Sequence, residues 1–109
     1  MTHRLFIYGT LAPGRPNEYV LAEVPGTWEA ATVRGELLPQ GWGAAVGYPG
    51  IFLDERGPEV EGFVFSSEEL DQHWERLDEF EGVGYERVLT MARLESGDSL
   101  EAHIYVLRR

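Results

Sequence analysis

The order of hydrophobic and polar residues along the chain predicts five β-strands. The first, Leu5–Tyr8, is a short apolar run. The others alternate between apolar and polar residues, the period of two that is typical of half-buried strands. They are Thr27–Leu38, Val60–Phe65, Tyr85–Leu94 and Leu100–Leu107. Ser96-Gly97-Asp98 joins the last two and indicates a hairpin turn.

One longer segment, Ser66–Phe80, has the pattern of a helix. Its apolar stripe runs at helical spacing through Leu70, Trp74 and Leu77. Ser66 and Glu69 have the spacing of an N-terminal capping box. The next step along the stripe reaches Glu81, and Gly82 follows as a C-terminal stop. The pattern therefore predicts a carboxylate at the end of a helix, pointing in the direction of the core.

Glycine and proline separate these elements. A loop is predicted around Gly9 and Pro13-Gly14, and Asn17 can cap a short helix that ends near Glu23. The stretch Pro39–Ile51 is rich in both residue types, which favours a long irregular loop. One main helix with five or six strands predicts an α+β domain. We expect a strongly curved, mostly antiparallel sheet or a small barrel, with a helix against it.

Length and charge narrow the class of protein. At 109 residues the chain is long enough for one domain with a single modest core, so we treat residues 1–109 as one domain. The formal net charge of −10 opposes binding to nucleic acid and to anionic membranes. The apolar run near the N-terminus is too short for a signal peptide or a membrane span, which favours a cytoplasmic protein.

Several kinds of site are disfavoured by composition. Cysteine is absent, so the chain offers no thiol nucleophile, disulfide or thiolate metal site. His3, His73 and His103 do not have the spacing of metal ligands. No phosphate-binding loop, dinucleotide-binding motif or EF-hand is present. We therefore predict no metal and no cofactor.

Glu81 is the first candidate for chemistry. Burial and the negative end of the helix dipole both disfavour an ionised carboxylate. Both raise the pKa of Glu81 toward the range that is useful for proton transfer near neutral pH. The charges of Asp78 and Glu79 would raise it further if they are within reach. The alternative is a helix that ends one residue earlier and leaves Glu81 in solvent.

The second candidate is the exit of the first strand, Tyr8-Gly9-Thr10-Leu11. Gly9 allows the backbone to approach a ligand closely. The amide groups that follow it can converge on a carboxylate or a developing oxyanion. A simple turn between two elements is the alternative.

The third candidate is the pair Tyr85 and Arg87, on one face of a predicted strand. Tyr85 can bring a hydroxyl close to Glu81. Arg87 in the same place would lower the pKa of Glu81, and the sequence does not decide between these effects. Ordinary amphipathic covering of the strand is the alternative.

Four blocks of sequence occur in a recognisable order. They are Leu5-Phe6-Ile7-Tyr8-Gly9-Thr10-Leu11 with Gly14 and Pro16-Asn17, then Gly47-Tyr48-Pro49-Gly50-Ile51, then Val60-Glu61-Gly62, and Leu77-Asp78-Glu79-Phe80-Glu81-Gly82 with Tyr85 and Arg87. Together they span nearly the whole chain. In this order they resemble the γ-glutamylcyclotransferase-like family, most closely its γ-glutamylamine cyclotransferase branch and small bacterial relatives.

The resemblance implies an α+β fold in which a small, mixed, mostly antiparallel barrel-like sheet has flanking helices. It also implies that Glu81 is the catalytic acid and base. Tyr8, Gly9, Thr10 and Leu11 would bind the γ-glutamyl group, and Tyr85 completes the predicted substrate-binding set. The implied reaction is an intramolecular aminolysis. The α-amine of a γ-glutamyl group attacks its own γ-carbonyl, forms 5-oxoproline and releases an amine, without a metal or cofactor.

The sequence does not identify the amine that leaves. A γ-glutamyl amino acid, a γ-glutamylated lysine and a biosynthetic γ-glutamyl protecting group all fit, with Trp42 and Tyr48 expected near the amine. Glutathione fits less well, because the chain is unlike the longer relatives that act on it. The rival interpretation is a non-catalytic small-molecule binding or interaction module. Glu81 disfavours it, because a like charge in the cavity would weaken binding of a glutamyl carboxylate.

The expected partner is therefore a small-molecule γ-glutamyl substrate, with no nucleic acid and no membrane. Phe63 and Phe65 share one strand face, opposite Val60, Gly62 and Val64. One of these faces either covers a partner or lies beneath helix and loop. We accordingly expect a monomer or a weak homodimer.

Overall fold

Six strands and one α-helix lie in the part of the chain that the structure describes. The structure is a computed structural model, and it describes residues 3–8, 21–22, 24–38, 50–82 and 84–107. The strands are β1 His3–Ile7, β2 Thr27–Leu38, β3 Gly50–Leu53, β4 Glu59–Ser67, β5 Tyr85–Leu94 and β6 Ser99–Leu107. A 3₁₀ turn, Leu70–Gln72, leads into the helix α1, Trp74–Glu81. None of the described helices is long and apolar enough to cross a membrane.

The sheet closes into a five-stranded barrel with β3 as an additional strand. The strand order is β3-β2-β4-β1-β6-β5, and β5 pairs again with β2 where Ala31 lies opposite Leu94 and Thr32 opposite Arg93. The pairing of β1 with β6 is parallel, and every other pairing is antiparallel. This confirms the predicted α+β class with a small, mixed, mostly antiparallel barrel.

Each strand contributes side chains to two buried layers. The barrel interior holds Phe6, Val33, Ile51, Val60, Val64, Ala92, Ala102 and Ile104. On the outer face, a second cluster packs beneath α1 and the 3₁₀ turn, and it includes Leu5, Ile7, Phe65, Leu70, Leu77, Tyr85, Tyr105 and Leu107. Phe63 also packs against this outer cluster. Both faces of β4 are therefore covered within the chain itself.

The helix predicted from Ser66 begins later in the structure. Ser66 and Ser67 belong to β4, where Ser66 lies opposite Arg4 of β1 and Thr27 of β2. Pairing on both sides outweighs the local helical pattern. Ser67 Oγ, not that of Ser66, accepts a hydrogen bond from the backbone N–H of Glu69, at 3.0 Å. The predicted capping box is therefore wrong, and no side chain caps the 3₁₀ turn.

Three other expectations are corrected or confirmed by local geometry. The irregular loop predicted for Pro39–Ile51 is wrong at its end, because Gly50–Leu53 forms β3 against Leu38 and its neighbours. The rest of that loop lies outside the described residues, as does most of the short helix predicted for Asn17–Glu23. Gly82 does end α1, with a φ of +86°. Gly97 has a φ of +99° in the turn between β5 and β6, which confirms the hairpin.

Candidate functional site

Glu81 is the last residue of α1, and its carboxyl group is largely buried. Leu77, one turn earlier, is fully buried against the outer face of the barrel. Glu81 lies on the same side of the helix and therefore also points toward the barrel. Burial raises the pKa of Glu81 from its ordinary value of 4.5 to about 7. At neutral pH this group therefore exists in both protonation states.

Tyr8 lies where β1 leaves the barrel. Its hydroxyl donates a hydrogen bond of 2.6 Å to the main-chain oxygen of Tyr105 on β6. Burial raises the pKa of the Tyr8 phenol far above its ordinary value, and the nearby Tyr85 and Glu81 raise it further. A hydrogen bond from the backbone of Ile51 opposes this rise. Tyr8, Tyr85 and Glu81 are thus close enough for their charges to interact.

Asp78 behaves differently from Glu81, although it lies only three residues earlier on α1. Its Oδ1 accepts hydrogen bonds from Tyr105 Oη at 2.6 Å and from Arg87 Nε at 3.0 Å. Its Oδ2 accepts a longer one from Arg87 Nη2 at 3.4 Å. Burial alone would raise the pKa of Asp78, but these hydrogen bonds outweigh it and lower the pKa below its ordinary value. Asp78 is therefore held ionised.

The guanidinium of Arg87 has further contacts on the outer face of the barrel. It lies over the ring of Trp74, 4.3 Å from the ring centre, and its Nη1 donates to His103 Nδ1 at 3.4 Å. The Trp74 and His103 rings are also in contact, with centres 4.6 Å apart. Burial lowers the pKa of His103, and the charge of Arg87 lowers it further. His103 thus stays neutral and can accept a hydrogen bond from Arg87.

An open hollow of about 580 Å³ adjoins the C-terminal end of α1. Asp78, Gly82, Tyr85, Arg87 and Tyr105 are among the residues that line it. The hollow lies between the end of the helix and the start of β5. A small molecule in it would contact Tyr85.

The predicted site residues are partly brought together. Tyr85 and Glu81 are close enough to Tyr8 to interact with it electrostatically. Gly9, Thr10 and Leu11 lie outside the described residues. The possible contact of Arg87 with Glu81 is not formed, because Arg87 pairs with Asp78 instead. Burial is the cause of the raised pKa of Glu81.

Tyr105 is a site residue that the sequence analysis missed. The register of the sheet places Tyr105 directly opposite Arg87. Its hydroxyl binds Asp78 and its main-chain oxygen binds Tyr8. The alternation of β6 predicts that Tyr105 and Leu107 share a face. Only the register identifies Tyr105 as the neighbour of Arg87.

Metal chemistry has no evident support within the described residues. No group of three or more histidine, aspartate or glutamate side chains there is arranged to hold an ion. His3 lies 3.9 Å from Asp71, which is a contact between β1 and the 3₁₀ turn.

A small closed barrel with a buried carboxyl group at one end defines the class of protein. The chain belongs to the gamma-glutamyl cyclotransferase, AIG2-like family, whose sequence model matches residues 5–109. This confirms the family that the four sequence blocks resemble. No curated protein gives a significant match.

Solved structures with this fold include proteins from bacteria and animals. YkqA from Bacillus subtilis matches with a TM-score of 0.73 and 28% identity, over 99% of this chain and 36% of that one. An AIG2-like protein from Mus musculus matches with a TM-score of 0.73 and 23% identity, over 96% and 76%. A protein called gamma-glutamyl cyclotransferase matches with a TM-score of 0.72 and 22% identity, over 100% and 68%. The last two support the fold alone, and the chain spans about a third of the length of YkqA.

Proposed function

We propose that the protein is a γ-glutamylcyclotransferase that converts a γ-glutamyl amine or γ-glutamyl amino acid into 5-oxoproline and a free amine. The observation that carries this proposal is the buried carboxyl group of Glu81, with a pKa raised to about 7, in electrostatic contact with Tyr8. In a protein that only bound the carboxylate of a glutamyl group, the negative charge of Glu81 would weaken that binding. Family membership supports the same class of reaction.

Ring closure requires two proton transfers, and one carboxyl group can perform both in turn. The α-ammonium group of the substrate first releases one proton to the solvent. The neutral amine then attacks the γ-carbonyl, and its nitrogen gives up a second proton as the new C–N bond forms. The C–N bond to the leaving amine breaks, and the leaving nitrogen takes up a proton. Glu81 would accept the proton from the attacking nitrogen and donate it to the leaving nitrogen, for which a pKa near the working pH is best. Such general acid–base catalysis contributes about 10² to 10⁴ in rate.

Tyr8 and Tyr85 would position the substrate beside Glu81. Tyr85 is the first residue of β5, and Tyr8, which directly follows β1, is fixed by its hydrogen bond to Tyr105. The amide groups of Gly9, Thr10 and Leu11 would hold the γ-glutamyl end in its ring-closing conformation, as the sequence predicts. The reaction joins two atoms of one molecule, so the proposal needs no enzyme nucleophile, metal or cofactor.

The test is the release of 5-oxoproline from a panel of γ-glutamyl amines and γ-glutamyl amino acids. We expect Glu81→Gln to lower kcat at least about 100-fold while 5-oxoproline still binds. Glu79→Gln is the matched control, because Glu79 is an exposed carboxylate on the same helix, and it should keep its activity. Unchanged turnover in Glu81→Gln would exclude the proposed role. No turnover across the panel, with tight binding of another metabolite, would favour a binding module.

A further inference from the structure

The side chain of Asp78 joins α1 to two strands of the barrel. Its carboxylate accepts hydrogen bonds from Arg87 on β5 and from Tyr105 on β6. Hydrogen bonds between charged partners are shorter and stronger than neutral ones, and they fix geometry when they occur in pairs. The main-chain oxygen of Asp78 also accepts the N–H of Gly82, at 3.1 Å. One residue therefore closes the last turn of the helix and anchors that turn to the sheet.

The apolar contacts of α1 are few. Of its eight residues only Leu77 is fully buried, and Trp74 and Phe80 are partly buried against the same cluster. A helix of this length is marginal without tertiary contacts. Arg87 contacts both of its ends, since the guanidinium lies over Trp74 at the first turn and binds Asp78 near the last. The orientation of α1 thus also depends on a polar tether, by which we mean the hydrogen bonds of Asp78 with Arg87 and Tyr105.

Tyr105 extends this tether to the other side of the candidate site. Its hydroxyl binds Asp78, and its main-chain oxygen accepts the hydrogen bond from Tyr8. The last turn of α1 and the residue that follows β1 are therefore both hydrogen-bonded to the same residue of β6. A shift of α1 would change the distance between Glu81 and Tyr8.

We propose that Asp78 is a positioning residue, whose carboxylate, held by Arg87 and Tyr105, keeps Glu81 buried at the barrel end that Tyr8 occupies. The consequence for catalysis rests on the proposed function, whereas the consequence for the environment of Glu81 does not. Asp78 itself does not exchange protons with the substrate. Its effect is exerted through the geometry of the helix end.

Two substitutions of Asp78 separate the effect of its hydrogen bonds from the effect of its negative charge. Asp78→Ala and Asp78→Asn remove the same negative charge, so they change the electrostatics at Glu81 alike. Only Asp78→Asn keeps an oxygen that can accept both short hydrogen bonds, from Tyr105 and from Arg87 Nε. The readout is an NMR titration of the side-chain carboxyl carbon of Glu81. We expect its pKa to fall by about one unit or more in Asp78→Ala, and clearly less in Asp78→Asn.

Turnover provides the second readout. We expect Asp78→Ala to lower kcat about 10- to 100-fold relative to Asp78→Asn, with little change in KM, because misplacing a catalytic group by about 1 Å costs rates of this order. Glu79→Ala, which removes a neighbouring exposed charge, should leave both readouts close to the wild type. If the wild type forms no 5-oxoproline, the proposed function fails, and the titration still tests the tether.

Identical titrations of Glu81 in Asp78→Ala and Asp78→Asn would overturn the proposal, because charge alone would then explain the change. An unchanged pKa in Asp78→Ala would overturn it as well. If Asp78→Ala does not fold, Tyr105→Phe tests the same tether, because it removes only the hydroxyl that donates to Asp78. We expect the pKa of Glu81 to fall in this variant, and an unchanged value would contradict the proposal.

Discussion

Two carboxyl groups one turn apart on the same helix have opposite environments. Burial raises the pKa of Glu81 to about 7. For Asp78, hydrogen bonds from Arg87 and Tyr105 outweigh the effect of burial and lower the pKa. Pairs of titratable groups whose environments separate their pKa values are typical of sites in which one group moves protons and the other holds a charge. This contrast, at the scale of single residues, supports Glu81 rather than Asp78 as the proton carrier.

The raised pKa of Glu81 predicts a specific dependence of stability on pH. The folded state binds the proton of Glu81 more tightly than the unfolded state, whose group keeps the ordinary value of 4.5. The stabilisation by this proton is complete below pH 4.5 and is lost as the pH rises through about 7. Above that pH, the buried carboxylate costs up to about 3 kcal/mol of the free energy of unfolding. Glu81→Gln does not ionise and should escape this cost.

Urea unfolding at pH 4.5 and pH 8 measures this difference. We expect Glu81→Gln and the wild type to be similarly stable at the acid end, and the variant to be more stable at the alkaline end. Glu79→Gln, at an exposed position, should show no such divergence. A constant difference between Glu81→Gln and the wild type at every pH would mean that Glu81 is solvated in the folded state.

At the scale of elements, sequence patterns predicted the strands better than the helix. The bounds of β2 and β5 agree with the predicted Thr27–Leu38 and Tyr85–Leu94, because their alternation continues to the ends. The start of the helix was wrong because Ser66 and Ser67 have a capping pattern but pair with β1 and β2. Local propensity cannot report pairing between distant segments. For the same reason, the sequence did not decide whether Arg87 contacts Glu81. The register of the sheet, which places Arg87 opposite Tyr105, is needed to answer this question.

The end of α1 gives a prediction at this scale. Gly82 has φ +86° and ψ −179°, a backbone region that other residues adopt only at a cost of about 1–3 kcal/mol. A Cβ atom there would have no neighbour within 4 Å, so Gly82→Ala changes the backbone without a clash. We expect it to lower stability by about 1–3 kcal/mol and to lower turnover as well, because it displaces Glu81.

Gly97→Ala is the matched control for this substitution. Gly97 also has a positive φ, +99°, and open space around its Cβ position, but it lies in the turn between β5 and β6. Thermal unfolding should show a loss of stability in both variants. Only Gly82→Ala should lose activity in the 5-oxoproline assay at a temperature where both are folded. Equal activity in the two variants would argue that the helix end does not control Glu81.

At the scale of the whole molecule, the alternation of apolar residues predicted that strands such as β4 have two distinct faces. It did not predict how the sheet closes, because closure depends on pairing between segments far apart in the chain. The β2–β4 ladder runs from Thr27 opposite Ser66 to Arg34 opposite Glu59. The closing contact between β2 and β5 is much shorter, with register pairs only at Ala31 and Thr32 among the described residues.

This difference predicts that the β2–β5 pairing opens more readily than the β2–β4 ladder. The amide of Glu95 donates to the main-chain oxygen of Ala30 at 2.9 Å, next to the closing pairs. Native-state hydrogen exchange should give a lower opening free energy for Glu95 than for Val64, whose strand has neighbours on both sides. Glu81 should keep its environment during this opening, because α1 is anchored to β5 and β6, and the pairing of these two strands stays intact. Equal protection of Glu95 and Val64 would mean that the short seam opens only together with the long ladder.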